Sequence, residues 1–218
     1  MTVCERYLED WQRREPERFA GGLKRSPLTP EDLRQMEKEL PYPLPEQYQD
    51  FLLSYQVPEV TVYVTLCGDL SCSLWQTFSL EKHGYVRSTS YEEDVVVDVQ
   101  WLGALGNCGA DSLCHLRKWE ISPGWSQAGL FQIGQFYMGD YLLFYDLCSG
   151  QVLFCHEEDI NESGILAEGW DDAQAVRAFM EEEGRPFCPD FYTFLRLMCT
   201  GGPYDETDHV FPEGVPNP

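Results

Sequence analysis

Residues 141–156 read YLLFYDLCSGQVLFCH, and this stretch constrains how the rest of the chain can be arranged. Two runs rich in aromatic and aliphatic residues, 141–146 and 151–156, flank the tetrapeptide LCSG at 147–150. Runs of this composition predict strands, and a short connection that contains glycine predicts a tight antiparallel turn. The stretch therefore predicts a β-hairpin.

Further strand-forming runs precede this hairpin. In the clearest of them Val95, Val97, Val99 and Trp101 alternate with other residues, which is the period of a strand. The region 103–129 is rich in glycine and predicts an extended loop with short strands or turns. The runs that we interpret as strands lie at 60–66, 73–78, 94–102 and 131–138.

Helical patterns lie on both sides of the strands. Thr29 and Pro30 are residues that typically begin a helix, as a cap and as a first helical residue. Asp171 and Asp172 can cap a later helix that runs to about Glu183, where Gly184 and Pro186 follow. The predicted helices lie at 3–20, 29–40, 45–57, 172–183 and 189–200.

Helices, then a mostly antiparallel meander, then helices again is the order typical of an α+β protein. We therefore predict an α+β fold in which N-terminal and C-terminal helices flank the sheet. With 218 residues the chain suits one sizeable domain, which we place at 1–202 with a helical extension at 1–28. Residues 203–218 include four prolines and little apolar material, so we expect a flexible tail there.

Charge is distributed unevenly along this chain. Fifteen Lys and Arg face thirty-seven Asp and Glu, for a formal net charge of −22, whereas the first 40 residues hold eight basic and nine acidic residues. Such a negative field repels phosphate backbones and anionic lipid and attracts a basic partner. We therefore expect a basic protein partner, no nucleic acid and no membrane, although acidity also serves solubility alone.

The nine cysteines predict reduced thiols, not a disulfide framework. Their number is odd, none forms a C-x-x-C pair, and the charged N-terminal stretch lacks the apolar run of a signal peptide. We interpret most of them as small core hydrophobes, expect neither a metal nor a cofactor, and expect a cytoplasmic protein. No segment has the roughly 18 consecutive apolar residues of a membrane helix.

A set of short signatures resembles one known superfamily. The chain has TPE at 29–31, LPEQY at 44–48 followed by DFL at 50–52, FQIG at 131–134, GDYLLFYD at 139–146 and SGQV at 149–152. Then come HE at 156–157 and FYTFL at 191–195. This order, spread over roughly residues 29–199, resembles the SUKH superfamily, which is named for fungal cell-wall regulators, the bacterial Syd protein and related chains.

The resemblance implies an interaction module and not an enzyme. Many bacterial SUKH members are immunity proteins that neutralise a toxin, often a nuclease or another nucleic-acid-modifying protein, whereas other members serve regulation. We therefore expect an immunity protein that binds a basic toxin domain stoichiometrically. The alternative hypothesis is a regulatory adaptor of the same fold with a non-toxin partner.

Acidic runs and loop tryptophans are the candidate partner contacts. The acidic candidates are Glu92, Glu93 and Asp94 before a strand, Glu157, Glu158 and Asp159 after the hairpin, and Asp171 and Asp172 at a helix start. The aromatic candidates are Trp119 and Trp125, since large aromatic residues in loops often bind partners. Each acidic run equally fits a solvated turn or a helix cap, and either tryptophan equally fits core packing.

Catalytic interpretations have little support in the sequence. Cys108 lies in a glycine-rich stretch seven residues before His115, but the acidic surroundings would raise the pKa of a thiol nucleophile. The chain has neither the Walker-type nor the dinucleotide-binding glycine motif. The residues 181–183, three glutamates at a predicted helix C-terminus where negative charge is unfavourable, are a further candidate for partner contact.

Overall fold

The computed structural model describes residues 1–19, 21–57, 60–66, 95–101, 123–136, 141–163 and 172–202. These parts contain seven α-helices and six strands. The helices are α1 (Val3–Arg14), α2 (Pro30–Glu37), α3 (Glu46–Leu53), α4 (Pro123–Gln127), α5 (Glu157–Glu162), α6 (Ala173–Glu182) and α7 (Phe191–Thr200). The strands are β1 (Val60–Leu66), β2 (Val95–Trp101), β3 (Leu130–Phe136), β4 (Tyr141–Asp146), β5 (Val152–His156) and β6 (Arg185–Cys188).

The six strands form one antiparallel sheet in sequence order, β1 to β6. The predicted hairpin is confirmed, because β4 pairs with β5 from Tyr145 opposite Val152 to Tyr141 opposite His156. Gly150 closes its turn at a φ of 74°, a backbone conformation that other residues rarely adopt. Helices and an antiparallel sheet in this order confirm the predicted α+β class.

One face of the sheet carries the main core. Helices α1, α2, α3 and α7 pack over it, and their buried side chains meet those of the strands. At its centre the rings of Tyr48 and Phe191 lie 4.8 Å and 5.3 Å, respectively, from the ring of Tyr145. Tyr48, Phe51, Leu52 and Tyr55 are all buried, because these residues share one side of α3 and the turn after it.

The opposite face carries a second, smaller core. Side chains of β3, β4 and β5 that point away from the main core pack against α4, α5 and α6. Phe144 and Leu142 alternate with Tyr145 and Leu143, so successive residues of β4 enter different cores. All six residues of β4 are buried for this reason.

Several helix starts agree with their predicted caps. The Thr29 hydroxyl accepts a hydrogen bond from the Asp32 N–H, and the Asp32 carboxylate accepts one from the Thr29 N–H, which is a capping box. The Asp172 carboxylate accepts the N–H groups of Gln174 and Ala175 at the start of α6. Asp190 caps α7, so that helix starts at Phe191, two residues after the predicted proline start.

The sequence does not predict three of the observed elements, and α1, α2 and α3 end three or more residues before their predicted ends at 20, 40 and 57. The sequence predicts that Pro186 follows the end of a helix and does not predict a strand there. β6 can nevertheless include Pro186, because β6 is an edge strand and needs backbone N–H donors only on the side that pairs with β5. The sequence predicts a loop where α4 lies and no helix where α5 lies, because five or six residues give no helical period. The first helix ends at Arg14, and a 3₁₀ turn at Pro16–Arg18 follows it.

Other expectations lie outside the described residues: the strand at 73–78, most of the loop at 103–129 and the tail at 203–218. None of the helices in the described part of the chain is long and apolar enough to span a membrane.

The thiols should differ sharply in reactivity. Cys148 is exposed in the hairpin turn, whereas Cys4, Cys155, Cys188 and Cys199 are buried and free, which confirms for these four the predicted role as core hydrophobes. Burial raises the pKa of the Cys155 and Cys199 thiols well above the ordinary value, so little reactive thiolate forms. We expect iodoacetamide at neutral pH to label Cys148 at least tenfold faster than these four, as read by peptide mass spectrometry. Equal labelling in the native state would contradict the described packing.

Candidate functional site

A cleft of about 420 Å³ opens between the C-terminal ends of α5 and α6. Four of its seven lining residues are acidic, and none is basic. The lining residues are Asp159, Glu162, Ser163, Ala178, Phe179, Glu182 and Glu183, and we call this surface the acidic cleft. Two acidic runs that lie more than twenty residues apart in sequence, 157–159 and 181–183, therefore contribute to one surface.

Helix α5 forms the first wall of the acidic cleft because the chain turns into a helix directly after β5. The Nδ1 atom of His156 accepts the Glu158 N–H at 3.1 Å and so caps this helix. Ile160 is buried in the second core and holds the helix on the sheet. Asp159 and Glu162 lie one helical turn apart and both reach the cleft.

Helix α6 forms the other wall and is tied to the hairpin by an ion pair. The Arg177 Nη2 atom donates to Asp146 Oδ1 at 2.7 Å, and the Asp146 side chain is 6% exposed. The same carboxylate accepts the Cys148 N–H and the Ser149 hydroxyl, so it also orders the hairpin turn. Burial alone would raise the pKa of Asp146, but Arg177, Ser149 and Cys148 together hold that pKa below its ordinary value.

Because Gly129 has no side chain, the Tyr42 ring can lie close to the backbone next to the Asp146–Arg177 ion pair. The φ of Gly129 is 75°, and a Cβ at this position would lie 2.6 Å from the Tyr42 ring. The Arg177 guanidinium in turn lies 5.3 Å from the centre of that ring. Asp146, Arg177 and Tyr42 therefore form one packed group that fixes the position of α6.

Trp125 supports the acidic cleft from within the second core. Its ring stacks on Phe144 at 4.6 Å and meets the edge of Phe179 at 6.3 Å, and Phe179 lines the cleft. Trp125 is only 4% exposed, so the expectation of an exposed partner contact at this residue is wrong. The sequence placed Trp125 in a loop, but α4 directs its side chain into a core that only the folded sheet creates.

Backbone carbonyl groups add to the negative charge that the side chains give the acidic cleft. Helix α5 ends at it, and the carbonyl groups at a helix C-terminus carry a partial negative charge. At the end of α6 the Arg185 guanidinium donates to the Glu182 carbonyl oxygen at 2.8 Å and offsets this charge. In the described part of the chain no Lys or Arg forms an ion pair with Glu162, Glu182 or Glu183. No group of three or more potential ligands among the described residues has the geometry to hold a metal ion.

The structure brings together only part of the predicted contact set. Asp159 lines the acidic cleft, and Glu157 and Glu158 lie exposed on the first turn of α5. Asp172 is exposed but acts as the cap of α6, at the opposite end of that helix from the cleft. The predicted contacts Glu92, Glu93, Asp94, Trp119 and Asp171 lie outside the described residues.

Sequence reasoning missed Glu162 and Phe179 and did not join the two acidic runs. The sequence did indicate Glu182 and Glu183 as candidate contacts, because negative charge at a helix C-terminus is unfavourable for the stability of the helix. Phe179 lies three and four residues before these two glutamates, and this helical spacing places it beside them. Glu162 had no signal, because the short helix that carries it has no recognisable period.

These features define a class of protein: an α+β domain with a strictly antiparallel sheet, helices on both faces in the described part, and an acidic cleft on one side. The model of the SMI1 / KNR4 family (SUKH-1) matches residues 27–173, which is well over half of the chain. The chain belongs to this family, which confirms the resemblance drawn from the short signatures. The family includes toxin immunity proteins and other regulators.

Other comparisons add no closer relative. A search of curated proteins found no match, and a search of solved structures found none either. The family match leaves out α1, β6 and α7 and all of α6 except its first residue. Helix α1 nevertheless packs on α7 and α3 and buries Cys4, Leu8 and Trp11 in the main core.

Proposed function

We propose that this protein is an immunity protein that binds and neutralises a basic toxin domain in a one-to-one complex. Family membership supports a binding role, since the SUKH family includes immunity proteins. The observation that carries the proposal is the acidic cleft, which has four carboxylates and no basic residue among its seven lining residues.

The charge distribution gives this binding a mechanism. A net charge of −22 produces a long-range attraction for a positively charged protein and speeds the encounter. At short range the carboxylates of the acidic cleft would accept hydrogen bonds from Lys and Arg side chains of the partner. A toxin that acts on nucleic acid needs such basic residues for its substrate, so a protein that covers them blocks substrate binding.

The first test is recovery of the partner from the native host. The tagged chain is used as bait at about 50 mM and about 300 mM salt, and retained proteins are quantified by mass spectrometry. We expect one basic protein in about equal amount at both salt concentrations, whose toxicity on expression is relieved by this chain. A retained partner without toxicity would favour the regulatory adaptor instead. Retention of no specific protein would contradict both.

A charge-removal variant tests the acidic cleft itself. The double change Glu182→Gln/Glu183→Gln keeps the side-chain shape but removes two charges from the cleft. We expect the affinity for the recovered partner to fall at least tenfold, mostly through a slower association rate at low salt. The matched control is Glu31→Gln/Glu46→Gln, which removes two exposed charges from α2 and α3 on the other face of the sheet. Equal effects of the two pairs would show that only net charge matters.

A further inference from the structure

Strand β1 exposes one aromatic side chain on its outer face. Val62, Val64 and Leu66 point into the main core and are at most 6% exposed, whereas Tyr63 between them is 70% exposed. A strand directs successive side chains to opposite faces, so Tyr63 points away from the main core. Apart from Met1 it is the one large hydrophobic residue that is exposed in the described part of the chain.

The surroundings of Tyr63 are polar and carry negative charge. Thr61 and Thr65 lie on the same side of β1, and Asp98 of β2 pairs directly opposite Tyr63. This outer face of β1 and β2 lies on the same side of the sheet as α4, α5 and α6, which cover only β3 to β5. The Tyr63 side chain makes no hydrogen bond or ring contact within the described residues.

Other parts of the described chain already bond to the edge of β1 that faces away from β2. A partner can therefore use the exposed face of β1 but not this edge. Arg18 Nη1 donates to the Thr61 carbonyl oxygen at 3.0 Å, and the Thr65 N–H donates to the Gly201 carbonyl oxygen at 2.9 Å. These contacts occupy backbone groups that a further strand would need. A second copy of the chain is disfavoured for another reason, because two copies each carry a charge of −22 and repel each other.

We propose that the outer face of β1 and β2, centred on Tyr63, is a docking surface for a basic protein partner and that Tyr63 is its aromatic anchor. Tyrosine and arginine are enriched among residues that dominate binding energy, and an arginine of the partner can stack on the exposed ring while pairing with Asp98. The proposal rests on the proposed function, since it places part of the same partner on this face.

The position of Tyr63 relative to the acidic cleft suits one partner. Helix α5 packs on β5, four strand spacings from β1, which corresponds to about 19 Å. A standard interface buries about 800 Å² on each partner, a patch about 30 Å across. One basic protein can therefore contact the acidic cleft by its charges and Tyr63 by a stacked side chain.

Site-specific crosslinking tests what touches Tyr63. The chain is expressed in the native host with the photoreactive residue p-benzoylphenylalanine in place of Tyr63, and a second variant carries it in place of Lys38, the exposed C-cap residue of α2 on the other face. We expect an adduct at position 63, and none at 38, with the same basic protein that the unmodified chain retains. A crosslink to a second copy, a crosslink within the chain or no crosslink would overturn the proposal.

Affinity measurements with that retained protein separate this proposal from the proposed function. Tyr63→Ala should weaken binding at least tenfold and mainly speed dissociation, Tyr63→Phe should keep most of the affinity, and Gln35→Ala, an exposed position of α2 on the other face, should leave it unchanged. If the partner is retained but Tyr63→Ala binds as tightly as the original chain, the docking surface is wrong and the proposed function stands. If the original chain retains no partner, both fall.

Discussion

Replacing Asp146 by alanine should lower the free energy of unfolding by about 3 kcal/mol, because it removes the buried carboxylate of an ion pair whose Arg177 side chain is itself 24% exposed. Asp146 is buried and accepts hydrogen bonds from Arg177, Cys148 and Ser149. Without the carboxylate the Arg177 guanidinium keeps its burial cost but loses its counter-charge. The loss should appear as a lower midpoint in urea unfolding at pH 7 with an unchanged slope.

The control for Asp146 is an ion pair of the same kind at the surface. Glu31 and Arg34 pair on α2 with side chains 73% and 65% exposed, so Glu31→Ala should leave the unfolding midpoint almost unchanged. If Asp146→Ala has the same small effect, the ion pair does not hold α6 to the hairpin. The double change Asp146→Ala/Arg177→Ala should be less destabilising than the two separate losses combined, because the partners act together.

The ionisation of Asp146 also predicts a pH dependence. The pKa of Asp146 in the folded state lies below its ordinary value, so its stabilising contribution is present above about pH 4. This contribution is lost as the pH falls through the folded pKa and the carboxylate gains a proton. The difference in unfolding free energy between the original chain and Asp146→Asn should therefore shrink on acidification from pH 6 to pH 2. A constant difference over this range would contradict the role of the charge.

Replacing Trp11 by alanine should cost about 4 kcal/mol, the second large effect, although α1 lies outside the family match. Trp11 is 1% exposed, and its ring meets the edge of the Phe19 ring at 5.2 Å. Alanine would leave a large cavity between α1 and the rest of the main core. Thermal unfolding followed by circular dichroism should show a midpoint more than ten degrees lower.

The matched control for Trp11 is Arg13→Ala on the same helix. Arg13 is exposed and, within the described residues, forms an ion pair with Asp10 one turn away, so its removal should leave the midpoint unchanged. If Trp11→Ala has an equally small effect, α1 is an appendage to the domain and not part of its core. A chain that starts at residue 27, the first residue of the family match, should then fold alone; we expect instead that it aggregates.

The fold was predictable where local chemistry and burial agree. The hairpin at 141–156 combines strand-forming runs with a glycine that can adopt the required backbone angle, so its register needed no information from elsewhere. Thr29 and Asp172 likewise cap helices through contacts within three residues. By contrast, β6 exists because β5 offers it a partner, and no local preference of Arg185 or Pro186 indicates a strand.

The candidate site was predictable in its charge but not in its position. Composition alone indicated an acidic surface, and the runs at 157–159 and 181–183 are visible in the sequence. Which of these runs meet depends on how α5 and α6 pack on one face of the sheet. Trp125 illustrates the same limit, because its exposure depends on whether Phe144 and Phe179 lie beside it.

By itself, the sequence determined the α+β class, the family, the hairpin and the negative charge of this protein, since each follows from residues close together in the chain or from a sum over all of them. Only the tertiary structure decided that α5 and α6 enclose an acidic cleft, that Trp125 is buried and that Tyr63 is exposed. These facts depend on contacts between residues distant in sequence. Burial and local electrostatic potential are properties of that spatial arrangement, and the order of residues specifies them only through the complete fold.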